Sequence, residues 1–494
     1  MDHLHALIHA LSRTEKRYFK RYALSQVGEE NSKYLELFDR VAKQPVYDAE
    51  ALIRTLALSG GKSTLAARKS YLYRLILKSL RAYNAKTQVT LQLKGLLSDV
   101  RTLYNKTLFQ QCQKVIGRAK KLAKANEDFA ALLEINVWER KLMKVSMHRT
   151  KYEAAKGLIE EKDALLEQLG HFFRAYDRFD IEFISQEENE TPFSGQLELP
   201  FREGTDFHAT RLHLQAESLA AVQGNDISLA LRKTQEALDL WENDRRMIKA
   251  HRNAYRVQIY NMLHLLALEG RYTQFPKWFQ KLDLEGVKDE REHLSENQNR
   301  YLYELVYQLN APGSPIGKPQ LKEIEQWLEK SREKIPYSRL LIFQTNLGIV
   351  YFIHQNYSKA RKWNDRLLLA GRSGVRSDLQ VWGRGLDLIL CFEQGLDDML
   401  GYRMRSAERF FRSWQDVPGF ARLILETFKG ILKFQSTSKF KPHLRHMHAK
   451  IQALTSLPDA IPGHLEFLLW IQSVVLETPI QILLRRGGNE ADHI

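Results

Sequence analysis

QTNLGIVYFIHQNYSKARKWNDRLLLAG, residues 344–371, is the stretch from which the architecture can be read. Its first half sets Leu347, Gly348 and Tyr351 on one helical period. Its second half opens on Tyr357 with Ala360 three positions later. The same marker, a bulky residue followed three positions on by a small one, recurs at Phe109/Cys112, Tyr152/Ala155 and Ile227/Ala230. Tyr272/Phe275 keeps the aromatic but sets a large residue second. The better markers are about 40–45 residues apart, or nearly twice that. A helical motif repeated in this way predicts an all-α chain whose units pack on their neighbours in sequence.

The totals agree with that class. A chain of 494 residues exceeds one ordinary core, but repeat arrays escape that limit because each unit needs only its neighbours. The sequence is 44% hydrophobic and 27% charged, as a folded protein requires, and holds 13 prolines. Its two cysteines, Cys112 and Cys391, are too few for a disulfide framework or a four-ligand zinc site, which predicts a reducing compartment. The N-terminus lacks the order of a signal peptide. The longest apolar stretch, 465–476, includes Glu466 and Gln472 and is about 12 residues long, whereas a membrane helix needs roughly 20. These features predict a cytoplasmic protein that does not enter a membrane.

The net charge of +15 is concentrated. Residues 1–94 carry about +9 and residues 401–450 about +8, and the rest is close to balance. Such blocks serve either as solvated helix faces or as contacts for an acidic partner.

Along the chain, residues 1–94 read as a basic N-terminal helical bundle. Ser12 and Glu15 form a capping box, Asp48 caps a third helix, and a long amphipathic helix starts at Ser63 or Thr64 after Gly60-Gly61. Residues 95–309 read as a first repeat stretch containing a long surface loop at 185–207. The segment NAPGSPIGKP, 310–319, breaks the array. Residues 320–494 read as a second stretch closed by C-terminal capping helices.

On Leu347, Gly348, Tyr351 and Ala360, residues 344–371 resemble a tetratricopeptide repeat. Gln344 stands at the motif's Trp position, Asn364 at its later Phe position and Arg372 in place of its terminal Pro. The other copies are degenerate. The N-terminal run LSRTEKRYFKRYA resembles the start of uncharacterised bacterial tetratricopeptide-repeat proteins. The resemblance implies a degenerate α-solenoid. In it the aromatic marker closes the inter-helix turn and the small residue admits the second helix. It also implies a non-enzymatic scaffold that binds a protein or peptide along a groove lined by the first helix of each pair.

Repeat offsets place Lys94, Arg101 and Asn105 on that groove from one unit and Arg140, Lys144 and His148 from the next. Cations beside an amide suit a carboxylate or acidic segment. The corresponding positions of the 344–371 copy are Thr345, Ile349, Phe352 and Ile353, an apolar face that either binds a hydrophobic segment or is covered by the chain. The alternative is a nucleic-acid- or ribosome-associated protein. There the third and fourth helices would act as a helix-turn-helix, with Arg17, Lys20, Arg68, Lys69, Arg74 and Lys78 on phosphates, and the 401–450 block would assist. Gly60-Gly61-Lys62-Ser63-Thr64 lacks the earlier glycine of a phosphate loop and reads as a helix-breaking turn. His5/His9 and His443/His446/His448 read as polar surface. The sequence calls for no catalytic group, metal or cofactor.

Overall fold

All regular structure in the computed structural model is helical. It describes residues 2–26, 31–85, 88–145, 151–188, 206–282, 290–310, 318–369, 377–412, 419–434, 437–454 and 463–485. Among these there are 24 α-helices and no strand. Two compact units divide the chain: Met1–Glu269 with Lys281–His293, and Gly270–Gln280 with Leu294–Ile494.

The first unit opens with α1 (His3–Ala10), α2 (Arg13–Gln26), α3 (Asn31–Lys43), α4 (Ala49–Thr55) and α5 (Gly61–Asn84). The capping box forms: the Glu15 N–H donates to Ser12 Oγ at 3.2 Å, and the Ser12 N–H donates to the Glu15 carboxylate at 2.8 Å. Asp48 accepts from the Ala51 N–H at 2.9 Å and starts α4. Ile8, Phe19, Phe38, Leu72 and Ile76 fill the space between the helices. Helix α5 starts at Gly61, earlier than the expected Ser63 or Thr64. Gly61 takes φ +55°, so the glycine pair completes the turn and the helix follows at once.

Next come α6 (Val89–Asn105), α7 (Phe109–Ala125), α8 (Phe129–Val145), α9 (Lys151–Glu188), α10 (Phe207–Gln223), α11 (Ile227–Asn243), α12 (Arg245–Ala250) and α13 (Arg252–Leu268). From α6 to α11 each helix packs on the next in sequence, and α11 also packs on α13. Helices α6, α7, α8, α10, α11 and α13 are each 17 residues long.

One turn recurs between them. Three residues link α6 to α7, α7 to α8, and α10 to α11, and the middle one, Thr107, Glu127 or Asn225, is left-handed with φ of +58°, +51° or +58°. The third residue's N–H returns to the carbonyl five positions back: Leu108 to Leu103 at 3.0 Å, Asp128 to Ala123 at 3.0 Å, Asp226 to Ala221 at 2.8 Å. This is the Schellman arrangement, which satisfies a helix-terminal carbonyl and reverses the chain. Asp128 and Asp226 then cap the following helix, accepting from the Ala131 and Leu229 N–H groups. Three of the sequence markers sit where this turn ends. Phe109, Ile227 and, in the second unit, Tyr357 are the first residues of their helices, and Cys112, Ala230 and Ala360 are wholly buried three positions on.

The Tyr152/Ala155 marker behaves otherwise. Tyr152, the second residue of α9, stands 81% exposed, and residues 146–150 before it lie outside the described residues. Helix α9 runs 38 residues, packing against α8 and α10. It continues through Ser185 to Glu188, so the expected loop at 185–207 starts later than the sequence suggested. Gln and Glu sustain a helix, and no glycine or proline intervenes before Pro192. Residues 189–205 lie outside the described residues, and Phe207 already opens α10.

Helices α14 (Phe275–Lys281) and α15 (Glu290–Asn310) fall mostly in the second unit. It continues with α16 (Lys318–Ser331), α17 (Tyr337–Ile353), α18 (Tyr357–Leu369), α19 (Ser377–Glu393), α20 (Asp397–Arg412), α21 (Gly419–Lys433), α22 (Thr437–Leu454), α23 (His464–Leu476) and α24 (Ile480–Arg485). Of the expected breaker 310–319, residues 311–317 lie outside the described residues, and Pro319 sits in the first turn of α16, where its missing N–H is harmless. The same three-residue turn joins α17 to α18 through Gln355 (φ +57°) and α19 to α20 through Gly395 (φ +63°). Asn356 N–H returns to Tyr351 and Leu396 N–H to Cys391, both at 2.9 Å. Twelve of the 17 residues of α17 are buried. Helix α23 reaches α19 across Gly463, whose φ is +93°. A Cβ there would lie 2.0 Å from Trp382 Cδ2, so only glycine fits. Glu393 accepts from Tyr357 OH at 3.0 Å and Trp470 Nε1 at 2.8 Å, joining α18, α19 and α23.

The left-handed position is least comfortable for a β-branched side chain. Thr107→Gly should therefore raise stability by about 1 kcal/mol. A urea-unfolding midpoint at or below that of the parent would show that Thr107 is unstrained.

Candidate protein-binding wall

Helices α6 and α8 are neighbours, joined by the rings of Tyr104 and Trp138 at 5.5 Å between centroids. Their buried faces carry Leu93, Leu97, Val100 on α6 and Leu132, Ile135, Trp138 on α8. The opposite face of α6 exposes Lys94, Ser98, Arg101 and Asn105, which follow one helical stripe. The sequence-predicted trio of this helix thus stands on one open face. On α8 the exposed stripe is Glu134, Val137, Lys141 and Lys144. Lys141 lies 4.2 Å from the Trp138 ring centroid, so its cation is held beside the contact between the two helices. The two stripes present four cations and one carboxylate.

The predicted stripe through Arg140 and Lys144 is rotated from the exposed one. Arg140 turns onto α9, where its Nη2 donates to the Leu158 carbonyl at 3.3 Å beside Asn136 Nδ2 at 2.9 Å. It pins α8 to α9. Lys144 is exposed; His148 lies outside the described residues. Lys141, which sequence offsets missed, takes the place given to Arg140: one residue is about 100° around a helix. Lys120 reinforces the same junction, donating to Glu139 at 2.8 Å and Glu161 at 2.8 Å.

In the second unit the corresponding face is closed. Thr345, Ile349, Phe352 and Ile353 are all buried, and Gln481 on α24 donates to the Ile353 carbonyl at 3.0 Å. Of the two readings open for this face, coverage by the chain is the one observed.

The nucleic-acid candidates are divided by the fold. Lys69 is tied to the Asp2 carboxylate and to Tyr47 OH (2.8 Å), and Lys20 pairs with Asp39 at 2.6 Å. Arg68 is half-buried. Arg17 is exposed on α2, and Arg74 and Lys78 are exposed on α5. In the 401–450 block Arg403, Lys429, Lys441 and Lys450 each meet a carboxylate of the same unit. Of these six ion pairs, two, Arg403–Asp387 and Lys441–Glu477, draw on carboxylates outside the basic blocks. His5 and His9 meet the Gln44 and Val41 carbonyls, and His443 that of Thr427. Among the described residues no group of three or more His, Cys, Asp or Glu side chains is placed to hold a metal, and no helix is long and apolar enough to cross a membrane.

A titratable cluster that the sequence did not signal lies at the start of α10. Glu127, in the α7–α8 turn, accepts from the Phe207 N–H at 2.7 Å and the His208 N–H at 3.3 Å, and Asp206 accepts from the Ala209 N–H at 2.6 Å. Two carboxylates thus cap one helix N-terminus, where the helix dipole favours negative charge. Burial raises both carboxyl pKa values, and Asp206 and Asp244 add repulsion at Glu127. His208 lies 4.8 Å from His251, ring to ring. Burial, with repulsion from His251 and Arg211, pushes the His208 pKa down to about 4. Below pH 6.5 the unfolded chain therefore gains a proton that the folded chain refuses until about pH 4. Stability from the His208 imidazole is full above pH 6.5 and falls on acidification through that window, while the raised Glu127 and Asp206 carboxyls act in the opposite sense. The expected loss is on the order of 2 kcal/mol, and His208→Gln should flatten it. Urea midpoints between pH 7.5 and 4.5 measure the slope; equal slopes for both proteins would exclude His208 as its source.

Comparison with known proteins adds no relative: no protein-family model, curated protein or solved structure matches the chain.

Proposed function

We propose that the chain is a non-enzymatic helical-repeat scaffold, tetratricopeptide-like in its pairing of helices, that binds another protein through the wall of α6 and α8. The observation that carries this reading is the alignment of two exposed stripes, Lys94–Arg101–Asn105 and Lys141–Lys144, on adjacent helices whose opposite faces are spent on the core. Support for the repeat assignment comes from the 17-residue helices and the recurring left-handed turn. Cations with an amide between them suit an acidic segment or a chain-terminal carboxylate, because both donate to carboxylate oxygens and fix their orientation. Two free, buried cysteines accord with a reducing compartment, and the cytoplasm is the proposed location.

The test is capture of partners from extract of the native cell by the parent chain and by Arg101→Glu/Lys144→Glu. Both sites are exposed, so folding should be unaffected. The variant should lose bound protein by about tenfold or more. Unchanged capture would remove this wall as the binding site. If the captured material is instead nucleic acid, shed steeply as salt rises, the row of Arg17, Arg74 and Lys78 gains the claim.

A further inference from the structure

Helix α9 leaves a second face without a partner among the described residues. Among the described residues it carries more exposed large apolar side chains than any other helix. Tyr152, Ile159, Leu166 and Phe173 follow one another at seven-residue intervals, and Tyr176 and Phe183 continue the seam by another heptad; all are 44–81% exposed. The residue just before each of Ile159, Leu166 and Phe173 belongs to the inner row. Leu158, Leu165 and Phe172 point toward the packed side, where Leu165 joins the α6–α8 core and Phe172 packs with Ala175, Ala209 and Leu212. The helix therefore has two adjacent heptad rows, one consumed by the fold and one facing outward over roughly 45 Å. A straight surface helix needs one apolar stripe, and a second, unburied one of this length marks a contact surface.

The charge beside the outer row selects its occupant. Glu153, Glu160 and Glu167 each follow a stripe residue by one position and are exposed, and Asp177 is exposed farther along. The cations of the same helix are diverted. Arg174 is drawn to His171 at 3.1 Å, Arg178 to His213 at 3.3 Å, and Lys162 to Asp163 at 2.5 Å, so that among the described side chains of α9 Lys156 is the exposed basic one beside the seam. An acidic rim repels phosphate, and so disfavours nucleic acid and an anionic bilayer. It also repels a second copy laid parallel along the same rim. We infer that the outer row of α9 docks an amphipathic helix of another protein whose apolar heptads are flanked by lysine or arginine. This surface is separate from the α6–α8 wall and has the opposite charge, so its failure would leave that proposal standing.

A synthetic four-heptad helix with leucine at the core positions and lysine at the flanking ones serves as probe, and its glutamate-flanked counterpart as control. The full chain should bind the lysine peptide at least about tenfold more tightly than the glutamate peptide, with the difference shrinking at high salt. Ile159→Asp/Leu166→Asp should abolish binding while the circular dichroism spectrum stays unchanged. Glu153→Lys/Glu160→Lys should reverse the preference between the peptides. Equal affinity for both peptides, or binding that survives Ile159→Asp/Leu166→Asp, overturns the inference. So does sedimentation of the free chain as a dimer that the same substitutions dissolve, because the seam would then belong to a second copy.

Discussion

The left-handed residue in the middle of each three-residue turn governs this structure. With φ near +55°, it returns the next N–H to the last turn of the helix behind it and sends the chain back alongside that helix. Three residues leave no slack, so the second helix must pack against the first. A small residue three positions into the new helix, Cys112, Ala230 or Ala360, lets the axes close up. The rest of the packing follows: a helix placed this way buries one face on its predecessor, offers a second to its successor and keeps a third. Function has to be sought on that third face.

How much of this was legible depended on the range of each interaction. The capping box at Ser12 and Glu15 and the cap at Asp48 are written within four residues, and both formed as read. The markers at Phe109, Ile227 and Tyr357 found their turns because the turn and its small residue are local. Tyr152 carried the same marker, but its side chain is exposed rather than packed, and nothing within a few residues distinguishes the two cases. The wall was half legible. Lys94, Arg101 and Asn105 share a face by periodicity alone. Arg140 was misplaced because the rotation of α8 is set by Asn136 and Arg140 reaching a carbonyl of α9, a contact between helices. Lys69 was lost to Asp2 and Tyr47, partners far away in sequence.

Formal charge proved a poor guide to available charge. The basic blocks look equivalent in composition, yet Lys20, Lys69, Lys429, Lys441 and Lys450 are engaged with partners inside their own units. The open cations of α6 and α8 lie outside or at the edge of those blocks, and the exposed acids of α9 lie in a helix with ten acidic residues against five basic ones. Opposite signs on different helices cancel in the total for the chain. Only the direction of each side chain separates a helix face that attracts acids from one that attracts bases.

The bond from Gln481 to the Ile353 carbonyl has a bearing on biosynthesis. Most helix pairs can form as soon as their second member leaves the ribosome, since the turn between them is already complete. One bond of α17 cannot: the Ile353 carbonyl meets Gln481 only when α24 has been made, more than a hundred residues later. Until then that carbonyl, at the end of a helix with twelve buried residues, lacks its partner in α24. The end of α17 is therefore among the last parts of the second unit to be completed.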